Sequence, residues 1–103
     1  MIQQIQAISD PTRFAILTLL KDQELPAGRI AQNFETMTRP AVSQHIRILK
    51  DHNLLRERRE GTKRYYSVDT AGFEDIRKTL EEFWQPRLQK LKTLAETEER
   101  TKK

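Results

Sequence analysis

The sequence predicts a small, mainly α-helical domain with one β-hairpin near its middle, and three observations predict it. Apolar residues recur at three- and four-residue spacing through most of the chain. The period drops to two only between Leu54 and Val68, and helix-capping residues fall where the periodic runs begin. The chain has 103 residues, 36% of them apolar and 33% charged. That is enough for one domain with a modest core and too little for a catalytic fold with a second lobe.

Ile2, Ile5 and Ile8 give a short first helix one apolar edge. Asp10 before Pro11 reads as an N-cap with proline at the first helical position, opening a second helix that carries Phe14, Ile16, Leu17, Leu19 and Leu20 and loses its pattern after Lys21. Leu25 and Pro26 open a third, short helix with Ile30, Ala31 and Phe34 facing inward, and Phe34 to Met37 form a break. Thr38 then offers a hydroxyl cap to a fourth helix that runs to about His52, with Pro40 in its first turn, where the missing N–H removes no helical bond. Its buried stripe is Val42, Ile46 and Leu49, which turns Arg39, Ser43, Gln44, Arg47 and Lys50 outward. Asn53 suits the left-handed residue that ends a helix.

Between Leu54 and Val68 the alternation reads as a hairpin with Gly61, Thr62 and Lys63 at a basic tip. Thr70 is read as the cap of a last helix with Phe73, Ile76, Leu80, Phe83, Trp84, Leu88, Leu91 and Ala95 on one flank. Pro86 predicts a kink there, or two abutting helices. Residues 1–95 are read as a single domain and 96–103 as a polar, frayed tail.

Charge is unevenly placed. The net +4 divides into −1 over residues 1–38, +5 over 39–68 and 0 over 69–103, so the basic excess belongs to the fourth helix and the hairpin. The chain has no cysteine, which removes disulfides and thiolate metal sites and agrees with the cytoplasm as the expected location. His45 and His52 are too far apart along one helix to share an ion. No metal, cofactor or membrane contact is expected. With three glycines and no nucleophile beside a base, neither is an enzyme.

Two helices joined by a short turn, the second presenting polar and basic side chains, followed by a basic hairpin, make a helix-turn-helix with a wing. An α-helix fits the major groove of B-DNA, where glutamine can pair with adenine and arginine with guanine. Cations on the wing meet phosphates, adding affinity and register with little sequence information. Three stretches carry a resemblance to the ArsR-type family of winged-helix repressors: Asp10 to Arg13, the Ser43-Gln44-His45-Ile46 run with Leu49 in the fourth helix, and Gly61 to Tyr66. The resemblance covers about residues 2–95. It implies a homodimer, paired through the first and last helices, that binds an inverted-repeat operator on double-stranded DNA and represses transcription, in some relatives of its own gene. Lacking the ligands of metal-sensing relatives, the chain resembles the cysteine-free, non-metal-sensing branch, and no feature names an inducer, small molecule or protein.

Ser43, Gln44, Arg47 and His45 are the candidates for reading bases, with His45 equally read as a half-buried side chain at the groove edge. Thr38, Arg39, Lys50, Arg58, Lys63, Arg64 and Tyr65 are the candidates for phosphates. Arg13 is read first as an internal partner. Glu57 and Glu60 are read as pairing with neighbours, and Tyr66 and Val68 as packing on the fourth helix. Candidates for the subunit interface are Ile2, Ile5, Phe73, Ile76, Leu80, Phe83, Trp84, Leu88 and Leu91. Geometry adds to this. A core of about 65 residues is roughly 28 Å across, whereas a helix of about 25 residues is roughly 37 Å long, so its apolar stripe overruns its own domain. The alternative is a winged-helix module that docks an acidic protein partner. The amide and guanidinium forks of Gln44 and Arg47 favour DNA, since they suit base edges better than a generic acidic surface.

Overall fold

The structure, a computed structural model, describes residues 2–101 but not the side chains of 84–89 and 96–101. Five helices and three short strands follow in the order α1 (Ile2–Ser9), α2 (Pro11–Leu19), β1 (Leu25–Pro26), α3 (Ala27–Gln32), α4 (Arg39–Asp51), β2 (Leu55–Glu60), β3 (Lys63–Val68) and α5 (Thr70–Thr101). The chain is mainly helical with a small antiparallel sheet. Among the described residues, no helix is long and apolar enough to cross a membrane.

The caps behave as the sequence suggests at two helices. Asp10 accepts from the Arg13 backbone N–H at 3.0 Å, and the Thr38 hydroxyl accepts from Ala41 N at 3.3 Å. Helix α4 ends in a Schellman motif: Asn53 takes φ 60°, its N–H reaches Lys50 O at 3.0 Å and the Leu54 N–H reaches Leu49 O at 2.9 Å. Leu49 and Leu54 are both fully buried, so this stop is pinned by the core.

Helix α5 is capped differently from the expectation. Asp69, not Thr70, is the cap, its Oδ1 accepting from Ala71 N at 3.1 Å and Gly72 N at 3.4 Å. Two cap-competent residues are adjacent, and the helix starts one residue earlier than read, which makes Thr70 helical. The helix is continuous through Pro86 to Thr101, so two abutting helices do not form. Residues 96–103, read as a tail, lie outside the described side chains.

Leu25 and Pro26 form a strand instead of opening α3. Leu25 pairs with Tyr66 and Pro26 with Tyr65, so the hairpin becomes a sheet of order β1-β3-β2. Pro26 stays extended at φ −72°, ψ 157°, and α3 begins at Ala27. The hairpin itself has a two-residue loop, Gly61-Thr62, between Glu60 and Lys63. Gly61 has φ 62°, the positive value that a type II′ turn needs at its first central position.

The core collects Ala7, Ile16, Leu17, Leu20, Ile30, Val42, Ile46, Leu49, Leu54, Leu55, Tyr66 and Ile76. The α4 stripe of Val42, Ile46 and Leu49 is the buried one, as its spacing predicts. Each such side chain contributes roughly 1.5–3 kcal/mol when fully buried. Phe14 departs from the reading of α2 and is 57% exposed. Among the described side chains, helix α5 meets the core near its start, through Phe73 and Ile76. Its remainder projects, and the molecule is 66 Å long against 28 and 24 Å in the other directions.

Candidate nucleic-acid interface

The exposed face of α4, helix α3 and the wing enclose a concavity of about 850 Å³. Because Val42, Ile46 and Leu49 anchor α4 to the core, the intervening Ser43, Gln44 and Arg47 must point outward, and all three are exposed. None has a side-chain hydrogen bond or ion pair among the described residues. Ser43 and Arg47 line the concavity, and Gln44 is not among its lining residues. The lining carries six cations, Arg29, Arg39, Arg47, Lys50, Lys63 and Arg64, against two carboxylates, Asp51 and Glu57.

His45 sits elsewhere. Its Nδ1 is 3.3 Å from Arg13 Nη1 and 3.9 Å from Asp10 Oδ2, and the ring is 19% exposed. It therefore seats α4 against the start of α2, apart from the exposed face of Ser43, Gln44 and Arg47. Arg13 is an internal partner, its Nε donating to Ala7 O at 2.8 Å. The bond from the Arg13 backbone N–H, together with the nearby Arg13 and His45 charges, holds the Asp10 carboxyl below its usual range.

The phosphate candidates divide into three groups. Arg39 and Lys63 are exposed and make no ion pair among the described residues. The Arg39 guanidinium rests over Gly28, where a Cβ would meet Nη2 at 3.3 Å. The Thr38 hydroxyl is engaged as the α4 cap. The others are held by carboxylates or stacked. Lys50 Nζ is 3.0 Å from Glu57 Oε2, and Arg64 Nη1 is 3.7 Å from Glu57 Oε1.

Arg58 lies on the far face of the wing, outside the concavity. Cross-strand partners share a face, and the register pairs Arg58 with Tyr65 and Glu57 with Tyr66. On that far face the Arg58 guanidinium bonds Glu24 at 2.6 Å and Glu60 at 2.9 Å and lies 4.8 Å from the centre of the Tyr65 ring. The Glu24 bond comes first among the causes that raise the Arg58 pKa and lower that of Glu24. Arg58 and Tyr65 thus brace the wing against the turn before β1 and are not presented with the groove residues.

One groove residue escaped the sequence reading, and another, read as pairing with neighbours, does so more widely than that reading required. Arg29 is exposed on α3 and lines the concavity. Its outward direction follows from the burial of Ile30 beside it, a signal too short to isolate in a six-residue helix. Glu57 is the second, as a hub rather than a passive neighbour. Besides the two cations, its Oε1 accepts from the Tyr66 hydroxyl at 3.0 Å. The Lys50 bond is the main reason its carboxyl titrates below the usual range, so it is ionised at neutral pH. Burial, then the Glu57 bond, raises the Tyr66 phenol. At the wing tip, Arg59 stands directly across from Arg64, a like-charge pairing that destabilises a bare hairpin.

Of the interface candidates, Ile2, Ile5, Leu80, Phe83 and Leu91 are exposed, at 72%, 38%, 45%, 76% and 55%. Ile76 is buried in the chain's own core and Phe73 packs against it. The Trp84 and Leu88 side chains lie outside the described residues. Among the described residues, no group of three or more His, Cys, Asp or Glu is placed to hold a metal ion.

Comparison with known proteins agrees with this arrangement. Residues 8–58 match the family model described as a helix-turn-helix domain. The chain is 40% identical over 79 residues to the HTH-type transcriptional regulator Rv2034 of Mycobacterium tuberculosis, covering 77% of this chain and 73% of that one. It is 43% identical over 70 residues to the transcriptional repressor SdpR of Bacillus subtilis, covering 68% and 77%. In three dimensions it matches an ArsR-like transcriptional regulator from Rhodococcus sp. RHA1 with a TM-score of 0.72 at 28% identity, over 91% of each chain.

Proposed function

The chain belongs to the ArsR-type family of winged helix-turn-helix transcriptional regulators, which bind DNA and are not enzymes, and from that premise we propose that it represses transcription as a homodimer on an inverted-repeat operator. In this reading α4 enters the major groove, with Ser43, Gln44 and Arg47 on base edges. Arg39, Lys63 and Arg64 take phosphates on either side. Two-fold pairing through α1 and α5 sets the two α4 helices about one turn of DNA apart, roughly 34 Å.

The observation that carries the proposal is the unpartnered Ser43, Gln44 and Arg47 face, flanked by cations and framed by the wing. The dimer is supported by the exposed apolar side chains of Ile2, Ile5, Leu80, Phe83 and Leu91. They lie on the two helices that flank the DNA-binding body in sequence, and a lone chain would leave them in water.

The test is a comparison of binding to an operator and to random duplex at fixed salt. Gln44→Ala and Arg47→Ala should each cost about 1–3 kcal/mol on the operator and much less on random DNA, if their side chains read bases. Equal losses on both duplexes would reassign these residues to phosphate and defeat the assignment of α4 as the reading helix.

A further inference from the structure

We infer that Glu57 is a specificity-determining residue of the groove: its carboxylate occupies Lys50 and Arg64 before DNA arrives and holds the wing at a fixed distance from α4. The inference rests on the placement of the DNA interface given above.

The geometry has a direction that stability alone does not explain. A cleft built only to attract phosphates would gain nothing from a carboxylate in its wall. Glu57 nonetheless lines the concavity with its side chain 17% exposed, bonded to Lys50 at 3.0 Å and to the Tyr66 hydroxyl at 3.0 Å, with Arg64 at 3.7 Å. Partly exposed ion pairs of this kind add little to folding. Their effect on binding is larger, because any phosphate seeking Lys50 or Arg64 meets a negative charge already there.

That opposition falls unequally on different DNA sequences. A non-specific complex depends almost wholly on phosphate contacts and the counterions they release. An operator complex adds base contacts from α4, and these need α4 and the wing to stand in fixed relation. Glu57 supplies that relation, joining the α4 residue Lys50 to the β3 residues Tyr66 and Arg64. Removing its charge therefore strengthens random binding while loosening the arrangement the operator requires.

The experiment uses the full chain, a duplex selected by the wild-type protein from a random pool, and a scrambled duplex of equal length and composition. Affinity for each is followed by fluorescence anisotropy across a salt series. Glu57→Gln keeps an acceptor for the Tyr66 hydroxyl and removes the charge. It should bind the scrambled duplex several-fold more tightly and steepen that duplex's log–log salt slope by roughly 0.9–1.8, for one to two further phosphate contacts. Its preference for the selected duplex should fall. Glu57→Asp, which keeps the charge, should return the slope toward the wild-type value.

An unchanged slope for Glu57→Gln, or equal gains on both duplexes, overturns the inference while leaving the DNA interface intact. Recovery of no duplex by the wild-type protein overturns the interface assignment and the inference with it. Should Glu57→Gln fail to fold, Lys50→Met decides. A cation already neutralised by Glu57 should contribute little to scrambled-duplex binding, so a loss of the full ~0.9 in slope refutes the role given to Glu57.

Discussion

Replacing Gly72 by alanine should destabilise this protein, against the usual effect of that change in a helix. Gly72 lies in the first turn of α5, where alanine ordinarily gains about 0.5–1 kcal/mol over glycine. Here a Cβ would sit 1.7 Å from the Asn53 carbonyl oxygen and 2.8 Å from its carbon. An ordinary carbon–oxygen contact is about 3.3 Å or longer, so α5 and the end of α4 would have to part by well over an ångström. Asn53 cannot give way cheaply, because it is the left-handed residue of the α4 stop and its neighbours on both sides are hydrogen-bonded.

Overpacking of this kind costs about 1–3 kcal/mol, and backbone meeting backbone places it at the upper end. Net of the helix-propensity gain, the loss is about 2 kcal/mol, a fall in Tm of about 10 °C for a domain of this size. Thermal unfolding at one fixed protein concentration measures it, since the pairing of chains proposed above would make Tm concentration-dependent. Gly28→Ala is the control: its Cβ would meet only the movable tip of Arg39 at 3.3 Å, and its Tm should equal or exceed that of wild type. A Gly72→Ala protein melting at or above wild type would refute the reasoning.

The remaining predictions concern charge, pairing and pH. Lys63→Ala should weaken operator and random DNA alike and reduce the salt slope by about 0.9, as expected for one lost phosphate contact; a sequence-dependent loss would contradict this. Leu80→Glu with Phe83→Glu should convert a dimer into monomers with the core intact, which sedimentation and circular dichroism together detect. Dimers persisting at micromolar concentration would place the interface elsewhere. Asp10→Ala should cost about 1 kcal/mol at neutral pH through loss of the α2 cap. The Asp10 pKa is lowered on folding, so its contribution is present above the unfolded value near 4 and disappears as pH falls through the folded one. The gap between the variant and wild type in urea unfolding should therefore close in acid.

What was legible in the sequence was local. Asp10, Thr38 and Asn53 announce helix boundaries because a cap acts within three or four residues of itself. The Val42, Ile46 and Leu49 stripe reveals which face of α4 is free. Strand β1 was not legible, since two residues carry no period and their partners, Tyr65 and Tyr66, lie on a strand far along the chain. Alternation puts Arg58 on the face opposite Arg59, but nothing local puts it beside Glu24, which arrives there only through the tertiary fold. Lys50 and Glu57 meet for the same reason, when α4 packs against β2. At Asp69 and Thr70 two suitable caps stand side by side, and the choice between them depends on where the β3 strand releases the chain.

Arg59 and Arg64, partners across the β2–β3 ladder, put a like-charge rung near the tip of the wing. Two positive groups across a narrow ladder repel unless something negative lies beside them, and among the described residues the carboxylate recorded there is Glu57, 3.7 Å from Arg64. The tip is therefore at its most relaxed when a polyanion is present. On the DNA reading of this face, the phosphates of the duplex would supply the counter-charge that this rung lacks.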